Sequence, residues 1–192
     1  VIGGVLKRSK LAVPNRPGLR PTPDRVRETL FNWLAPEISG AHVLDLCAGT
    51  GVLGIEAISR GAASAWLNET DGELADQIER NAERLRIAPQ VRVTRVAAER
   101  LLATLPEVRF DIAFVDPPYN ARLWARILER LPQWLAPGAR VYLEHPTEVA
   151  SPITPEWRIL KESRAGRVNF YLLEHAPVSV SLSGHTFAES AP

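Results

Sequence analysis

The chain has 192 residues, 45% of them hydrophobic and 23% charged, the proportions of one ordinary globular domain whose core needs no disulfide or metal staple. Its single cysteine, Cys47, excludes an internal disulfide, and no apolar run approaches the ~20 residues of a membrane span. The net charge of +1 hides an asymmetry: residues 1–34 hold seven basic side chains against two acidic ones, +5, leaving −4 for the remainder, which suits docking of a polyanion at one end.

The sequence contains no methionine, so Val1 is not expected to be the translation start. The opening residues show no secretory pattern, and a cytoplasmic location is expected. Residues 1–22, rich in Gly, Pro and basic residues, read as a basic arm or small hairpin. A helix follows: Thr22 suits an N-cap, Pro23 the first helical position and Asp24 the positive end of the dipole. Val26, Leu30, Trp33 and Leu34 recur at helical spacing and form its inward face.

A regular alternation then begins. Strands are expected at 42–47, 64–68, 91–95, 111–116 and 140–145. Helices are expected at 53–60, 72–86, 97–105 and 121–131. Two last strands, 157–161 and 168–173, flank the turn signal Ala165-Gly166 and predict an antiparallel hairpin. The pattern implies an α/β fold, a doubly wound and mainly parallel seven-stranded sheet of Rossmann-like type over residues 23–175. Residues 176–192 read as a disordered tail.

Between the first strand and its helix lies Asp45-Leu46-Cys47-Ala48-Gly49-Thr50-Gly51, and Gly49, Gly51 and Gly54 spell G-x-G-x-x-G. Such glycines let backbone turn tightly and approach a ligand at a helix N-terminus. Glu69 closes the next strand, where an acid can accept both hydroxyl protons of a ribose. The spacing fits dinucleotides and S-adenosylmethionine alike. Asp45 favours the second, because a carboxylate there attracts a cationic amino acid and repels a diphosphate. The expected cofactor set is Asp45, Ala48, Gly49, Thr50, Gly51, Glu69 and Thr70, with Ala98 at the adenine edge.

Asp116-Pro117-Pro118-Tyr119 ends the fourth strand and suits transfer to an amino group on a flat ring. An exocyclic amine is a poor nucleophile, its lone pair being delocalised into the ring. The Asp116 side chain and the Pro117 carbonyl can each accept one N–H, which fixes the nitrogen. Pro118 stiffens the loop, and Tyr119 offers a face for stacking, worth ~1–3 kcal/mol per base. Lys7, Arg8, Lys10, Arg20, Arg25 and Arg27 are the candidate RNA contacts, and Arg25 could reach the cofactor's carboxylate. Cys47 reads as a small core residue, since no histidine lies near it in sequence. His42, His145, His175 and His185 show no metal-ligand spacing, so no metal is expected. Trp66, Trp124, Trp134 and Trp157 fall in apolar surroundings and read as core.

Residues 1–8, Arg20-Pro21-Thr22-Pro23-Asp24-Arg25-Val26-Arg27-Glu28-Thr29-Leu30-Phe31-Asn32-Trp33, residues 45–54 and 56–62, and Asp116–Tyr119 together resemble the bacterial RsmD family. The glycine loop and Asp-Pro-Pro-Tyr are common to many amino-methyltransferases, whereas the block from Arg20 to Trp33 is much more specific. The likeness covers residues 1–175; Cys47 often appears as a bulkier residue in the family, and the tail matches nothing in it. What the resemblance implies is transfer to the N2 amine of a guanine in 16S ribosomal RNA, on the small subunit or its assembly intermediate. The alternative is an amino-methyltransferase for another RNA or DNA base. A nicotinamide oxidoreductase would leave Asp116–Tyr119 unexplained, and a non-catalytic RNA-binding factor would not need both motifs intact.

Overall fold

Strand residues in this chain are apolar towards both faces, which requires helices on both sides of the sheet. The computed structural model describes residues 1–14, 23–118 and 123–176. In chain order these form α1 (Asp24–Leu34), β1 (His42–Asp45), α2 (Val52–Ser59), β2 (Ser64–Asn68), α3 (Gly72–Arg84), β3 (Val91–Thr94), α4 (Ala98–Leu102), β4 (Phe110–Val115), α5 (Trp124–Arg130), β5 (Leu135–Pro146), β6 (Trp157–Ala165) and β7 (Val168–His175).

The strand order is β3-β2-β1-β4-β5-β7-β6. Neighbours from β3 to β5 run parallel, and β7 is antiparallel to both β5 and β6. The order reverses between β1 and β4, so a crevice opens at their carboxyl ends. Side chains alternate across the sheet. Val43, Ile112, Phe114 and Tyr142 join α1, α2 and α3 in one core. Leu44, Ala113, Val141 and Leu143 join α4 and α5 in the other, with Trp66, Trp124, Trp134 and Trp157.

Several boundaries differ from the sequence expectation. α1 begins at Asp24 with Pro23 as its cap, and the capping expected of Thr22 lies outside the described residues. Phe31 is fully buried against Phe114, while Trp33 is half-buried and packs on Phe170 from the rim. α4 is one turn shorter than expected, because its end is exposed from Ala103 to Leu105. β6 runs to Ala165 although most of it faces solvent; its pairing with β7, not burial, extends it. The tail beyond Ala176 lies outside the described residues.

Among the described residues of the segment expected as an arm or hairpin, 1–14, no strand forms. Residues 1–9 fold into turns closed by Arg8 N–H to the Val1 carbonyl at 2.9 Å and Ser9 N–H to the Leu6 carbonyl at 3.0 Å. The reason is Glu56 on α2, whose buried carboxylate is fully inaccessible. It accepts the backbone N–H groups of Ile2 and Gly3 at 2.8 Å each and the Arg60 Nε at 2.8 Å. Ser59 Oγ accepts from Leu6 N–H at 2.9 Å and donates to the Gly3 carbonyl at 2.6 Å. Further on, buried Asn81 of α3 exchanges two hydrogen bonds with the Ala12 backbone, at 3.0 and 3.1 Å. The segment is thus stitched to the end of α2 and α3 that lies away from the crevice.

Removing one partner from a buried charged network strands the others, at a cost of about 3 kcal/mol or more. Glu56→Ala is therefore expected to lower the denaturant midpoint and to open residues 1–9 to proteases. Equilibrium unfolding with limited proteolysis checks this, and an unchanged midpoint would show that the buried carboxylate contributes nothing.

Candidate active site

The glycine loop leaves β1 where the chain must reverse within a few residues to enter α2. Gly51 has φ +74°, and a Cβ there would lie 2.9 Å from Ile78, so both conformation and space demand glycine. Gly54 lets α2 settle onto β2: a Cβ at that position would meet Leu67 at 2.8 Å. The loop is tied down by Ala48 N–H to the Asn68 carbonyl at 2.9 Å and Gly51 N–H to the Ala48 carbonyl at 2.7 Å. Ala48 and Thr50 are buried beneath it.

Glu69 stands at the carboxyl end of β2 and reaches back to the loop. It accepts the Gly49 N–H at 2.7 Å and the Asp71 N–H at 2.8 Å, and the exposed Thr70 hydroxyl lies at 3.4 Å. A carboxylate offers about four acceptor positions, so capacity remains for two ribose hydroxyls. Ala98 is buried as the first residue of α4, past the end of β3.

Asn68 is a site residue that pattern reading missed. Its amide donates to the Leu46 carbonyl at 3.1 Å and the Val96 carbonyl at 2.8 Å, and its oxygen accepts from Thr94 Oγ1 at 2.9 Å. It clamps the carboxyl ends of β1, β2 and β3 together and so fixes the floor of the cleft. The available signal was a polar residue closing an apolar strand, next to the acid that draws attention.

Asp45 ends β1 almost wholly buried, at 3% exposure, with one carboxylate oxygen lacking any hydrogen-bond partner. Burial first, and then Glu69, push its carboxyl up to about 7, against the opposing pull of the Gly54 and Cys47 amides. Asp116 follows β4 half-buried, its carboxyl held well above the usual range by burial, by Glu144 and by Asp45. The same carboxylates, with Glu69, raise the Cys47 thiol after burial has done most of the work. The crevice is therefore a desolvated pocket lined by carboxyls whose ionised forms are disfavoured until a cation arrives. One Asp45 oxygen is left there with acceptor capacity towards a cationic ligand.

Of the motif expected to act on the target amine, Asp116 and buried Pro117 border this pocket, Pro118 is exposed, and Tyr119 lies outside the described residues. The basic residues divide. Lys7, Arg8 and Lys10 are exposed, but the turns that carry them dock at the far end of α2, about 12 Å along the helix from the glycine loop. Arg25 is exposed on the first turn of α1, at the crevice end. Arg20 lies outside the described residues. Arg27 departs from its expected surface role: it is 7% exposed, bonded to Asp24, and turned towards Glu56 at 4.0 Å. Its spacing on α1 puts it on the same side as Leu30 and Leu34, which draws it inward. Among the described residues no group of three or more His, Cys, Asp or Glu is placed to hold a metal, and no helix is long and apolar enough to cross a membrane.

A cationic ligand favours the ionised form of Asp45. Affinity for S-adenosylmethionine is thus expected to rise several-fold between about pH 6 and about pH 7.5, as Asp45 loses its proton. The sign is opposite for the free protein: a carboxyl raised in the folded state costs stability as pH climbs from its unfolded value of 3.8 towards about 7. Calorimetry across this range checks the first statement. Asp45→Asn should weaken binding and flatten the profile; a profile unchanged by that substitution would remove Asp45 from ligand capture.

The family model described as Conserved hypothetical protein 95 matches residues 1–174. The chain is 44% identical over 177 residues to ribosomal RNA small subunit methyltransferase D of Escherichia coli, covering 91% of this chain and 88% of that protein. It is 39% identical over 181 residues to the protein of the same name from Haemophilus influenzae, covering 91% and 93%. The solved structure of yhhF from Escherichia coli superposes with a TM-score of 0.82 at 38% identity, covering 91% of this chain and 96% of that one. With the family matched along nearly all the described residues, the chain belongs to the RsmD family of S-adenosylmethionine-dependent methyltransferases.

Proposed function

We propose that the chain transfers the methyl group of S-adenosylmethionine to the exocyclic N2 amine of a guanine in 16S ribosomal RNA, within the small ribosomal subunit or an assembly intermediate of it. The observation that carries this reading is the position of Asp116. It stands at the end of β4, beside β1 and the glycine loop, where a flat base entering the crevice meets an acceptor next to the methyl donor. The substrate class rests on the relatives named for ribosomal RNA, which match this chain over most of its length.

The cofactor supplies an electrophilic methyl group carried on a sulfonium. Asp45, Glu69 and the glycine loop hold it by its ammonium, its ribose and its close fit to the backbone. Asp116 and the Pro117 carbonyl accept the two amine hydrogens and turn the nitrogen lone pair towards the methyl group. Positioning supplies most of the acceleration, and well-aligned reactants gain ~7–11 kcal/mol over free encounter. The base must leave its stack to enter, or already sit in a loop.

Arg25 is the basic residue best placed to meet phosphates beside the target base, because α1 starts at the crevice end. Lys7, Arg8 and Lys10 form a second footprint at the other end, reachable only by a large structured particle.

Incubation of small-subunit particles and of protein-free 16S RNA with labelled cofactor, followed by nucleoside mass spectrometry, tests the reading. N2-methylguanosine is expected, and mainly from the particles. Asp116→Ala should cut transfer at least about 100-fold while cofactor affinity holds. Replacing Lys7, Arg8 and Lys10 should flatten the salt dependence of particle binding, since each lost phosphate contact removes ~0.7–0.9 from the log–log slope. A different methylated base, or equal yield from naked RNA, would overturn the corresponding part.

A further inference from the structure

Residues 1–14 carry Lys7, Arg8 and Lys10 and no acidic side chain. Their turns dock on the end of α2, and the stretch that follows docks on α3. There the Arg84 guanidinium donates to the Lys10 carbonyl and to the Asn81 side chain, and Asn81 in turn holds the Ala12 backbone. Two segments 74 residues apart thus meet at the C-terminal end of α3. The helix closes in a Schellman motif: Arg86 N–H donates to the Glu83 carbonyl and Ile87 N–H to the Ala82 carbonyl, each at 2.9 Å. That closure holds Arg86 in the left-handed region, at φ +60°, where glycine is the usual residue.

Among the described residues only Arg8 and Arg86 bear a side chain at positive φ, 71° and 60°, and both are exposed arginines at this end of the molecule. The conformation is unfavourable for any residue with a Cβ, and glycine would relieve it at both positions. The dipole of α3 offsets part of the strain at Arg86 and none of it at Arg8, which lies on the N-terminal turns. Side-chain-bearing residues kept in such conformations cluster where their side chains have a task beyond the fold. Among the described residues none of Lys7, Arg8, Lys10, Arg84 and Arg86 enters an ion pair. On α3, Asp76 and Glu79 are engaged by Arg95, and Glu83 is the exposed acid beside the five cations.

We propose, resting on the ribosomal RNA reading above, that Lys7, Arg8, Lys10, Arg84 and Arg86 form one composite surface that holds an RNA phosphate backbone away from the target base. Arg84 both belongs to this surface and positions it, since its bond to the Lys10 carbonyl fixes the N-terminal segment against α3. Arginine forks match phosphate oxygens, and Arg and Lys supply most backbone contacts to nucleic acid. A protein partner would instead call for aromatic anchors seated in pockets. The exposed apolar side chains of this segment are Val5 and Val13, with no aromatic among them. The 13 residues of α3 span about 20 Å from the crevice end to this one. The surface therefore meets RNA other than the target nucleotide, which ties recognition to a folded particle.

The test uses the full chain and small-subunit particles. Arg8→Gly and Arg86→Gly each remove a charge and relieve the left-handed strain. Each should leave the denaturant midpoint equal or higher, yet weaken particle binding several-fold and lower its log–log salt slope by ~0.7–0.9. Cofactor affinity by calorimetry should not change. Arg130→Ala removes an exposed cation from the last turn of α5, on the opposite face of the sheet, and should leave the slope as it is. A slope unmoved in both glycine variants overturns the proposal. So does an equal fall in Arg130→Ala, which would mean that net charge alone is felt. A lowered midpoint or a loss of cofactor affinity in a glycine variant makes that arginine part of the fold and removes it from the surface. A benzophenone side chain in place of Val5, which is 88% exposed within the turns, identifies the partner. Crosslinking to 16S RNA is expected, and crosslinking to a ribosomal protein alone overturns the RNA assignment. Failure of the wild-type protein to methylate particles would overturn the substrate reading instead, with the binding slopes still reporting on the surface.

Discussion

Carboxylates that end adjacent strands of a sheet cannot all keep their charge once water is removed, unless a cation arrives from outside. Asp45, Asp116 and Glu144 end β1, β4 and β5 on one face, with Glu69 beside them at the end of β2. The helices that bury the sheet also strip solvent from this row, and Asp45 responds with a carboxyl raised to about 7. Much of the surrounding structure serves to hold the row still. Asn68 clamps three strand ends, the loop amides of Gly49 and Asp71 hold Glu69, and Tyr142 and Trp124 hold Glu144 by side chain and backbone. Of this row, Asp45 keeps a carboxylate oxygen with no hydrogen-bond partner.

A second buried carboxylate works in the other direction. Glu56 finds its compensation within the chain, in two backbone N–H groups and Arg60, with Arg27 nearby. The contrast between Glu56 and Asp45 separates structure from function at one chemical group. Both are buried acids on the α2 side of the sheet, but the first has its partners supplied and the second has an oxygen with none. The satisfied acid anchors the N-terminal turns; the unsatisfied one faces the crevice.

The parts of the site that could be read from sequence are those whose geometry is local. The glycine spacing, Asp45, Glu69 and Asp116–Pro118 each end a strand or follow it by a few residues, so their place at its carboxyl end follows from the strand itself. The place of Glu144 beside Asp116 was silent because it depends on the register of β5 against β4, which no single segment carries. Asn68 was silent because it bonds to Leu46 and Val96, more than twenty residues away on either side. The N-terminal segment read as a basic arm or small hairpin because it is rich in Gly, Pro and basic residues. Its turns arise from Glu56, whose buried position is visible only when α2 is packed. The mainly parallel sheet and the antiparallel closing hairpin were legible, since alternation of strands and helices leaves few arrangements. The length of β6 was not, because a strand open to solvent on most of its surface needs no apolar alternation.

That open strand has a consequence for the molecule among its neighbours. Among the described residues β6 is the last strand of the sheet and nine residues long, and one row of its backbone groups has no described strand to pair with. Such an edge is a template for a strand from another copy, the first step of β-type aggregation. Here the exposed residues along it include Arg158, Lys161, Glu162 and Arg164, and the pairing with β7 shifts register between Ile159 and Lys161. An incoming strand would have to desolvate those charges and follow a bend, which makes sheet-to-sheet addition unfavourable. Charge on the edge thus works against strand addition at the side of the sheet opposite β3, where among the described residues no helix covers it.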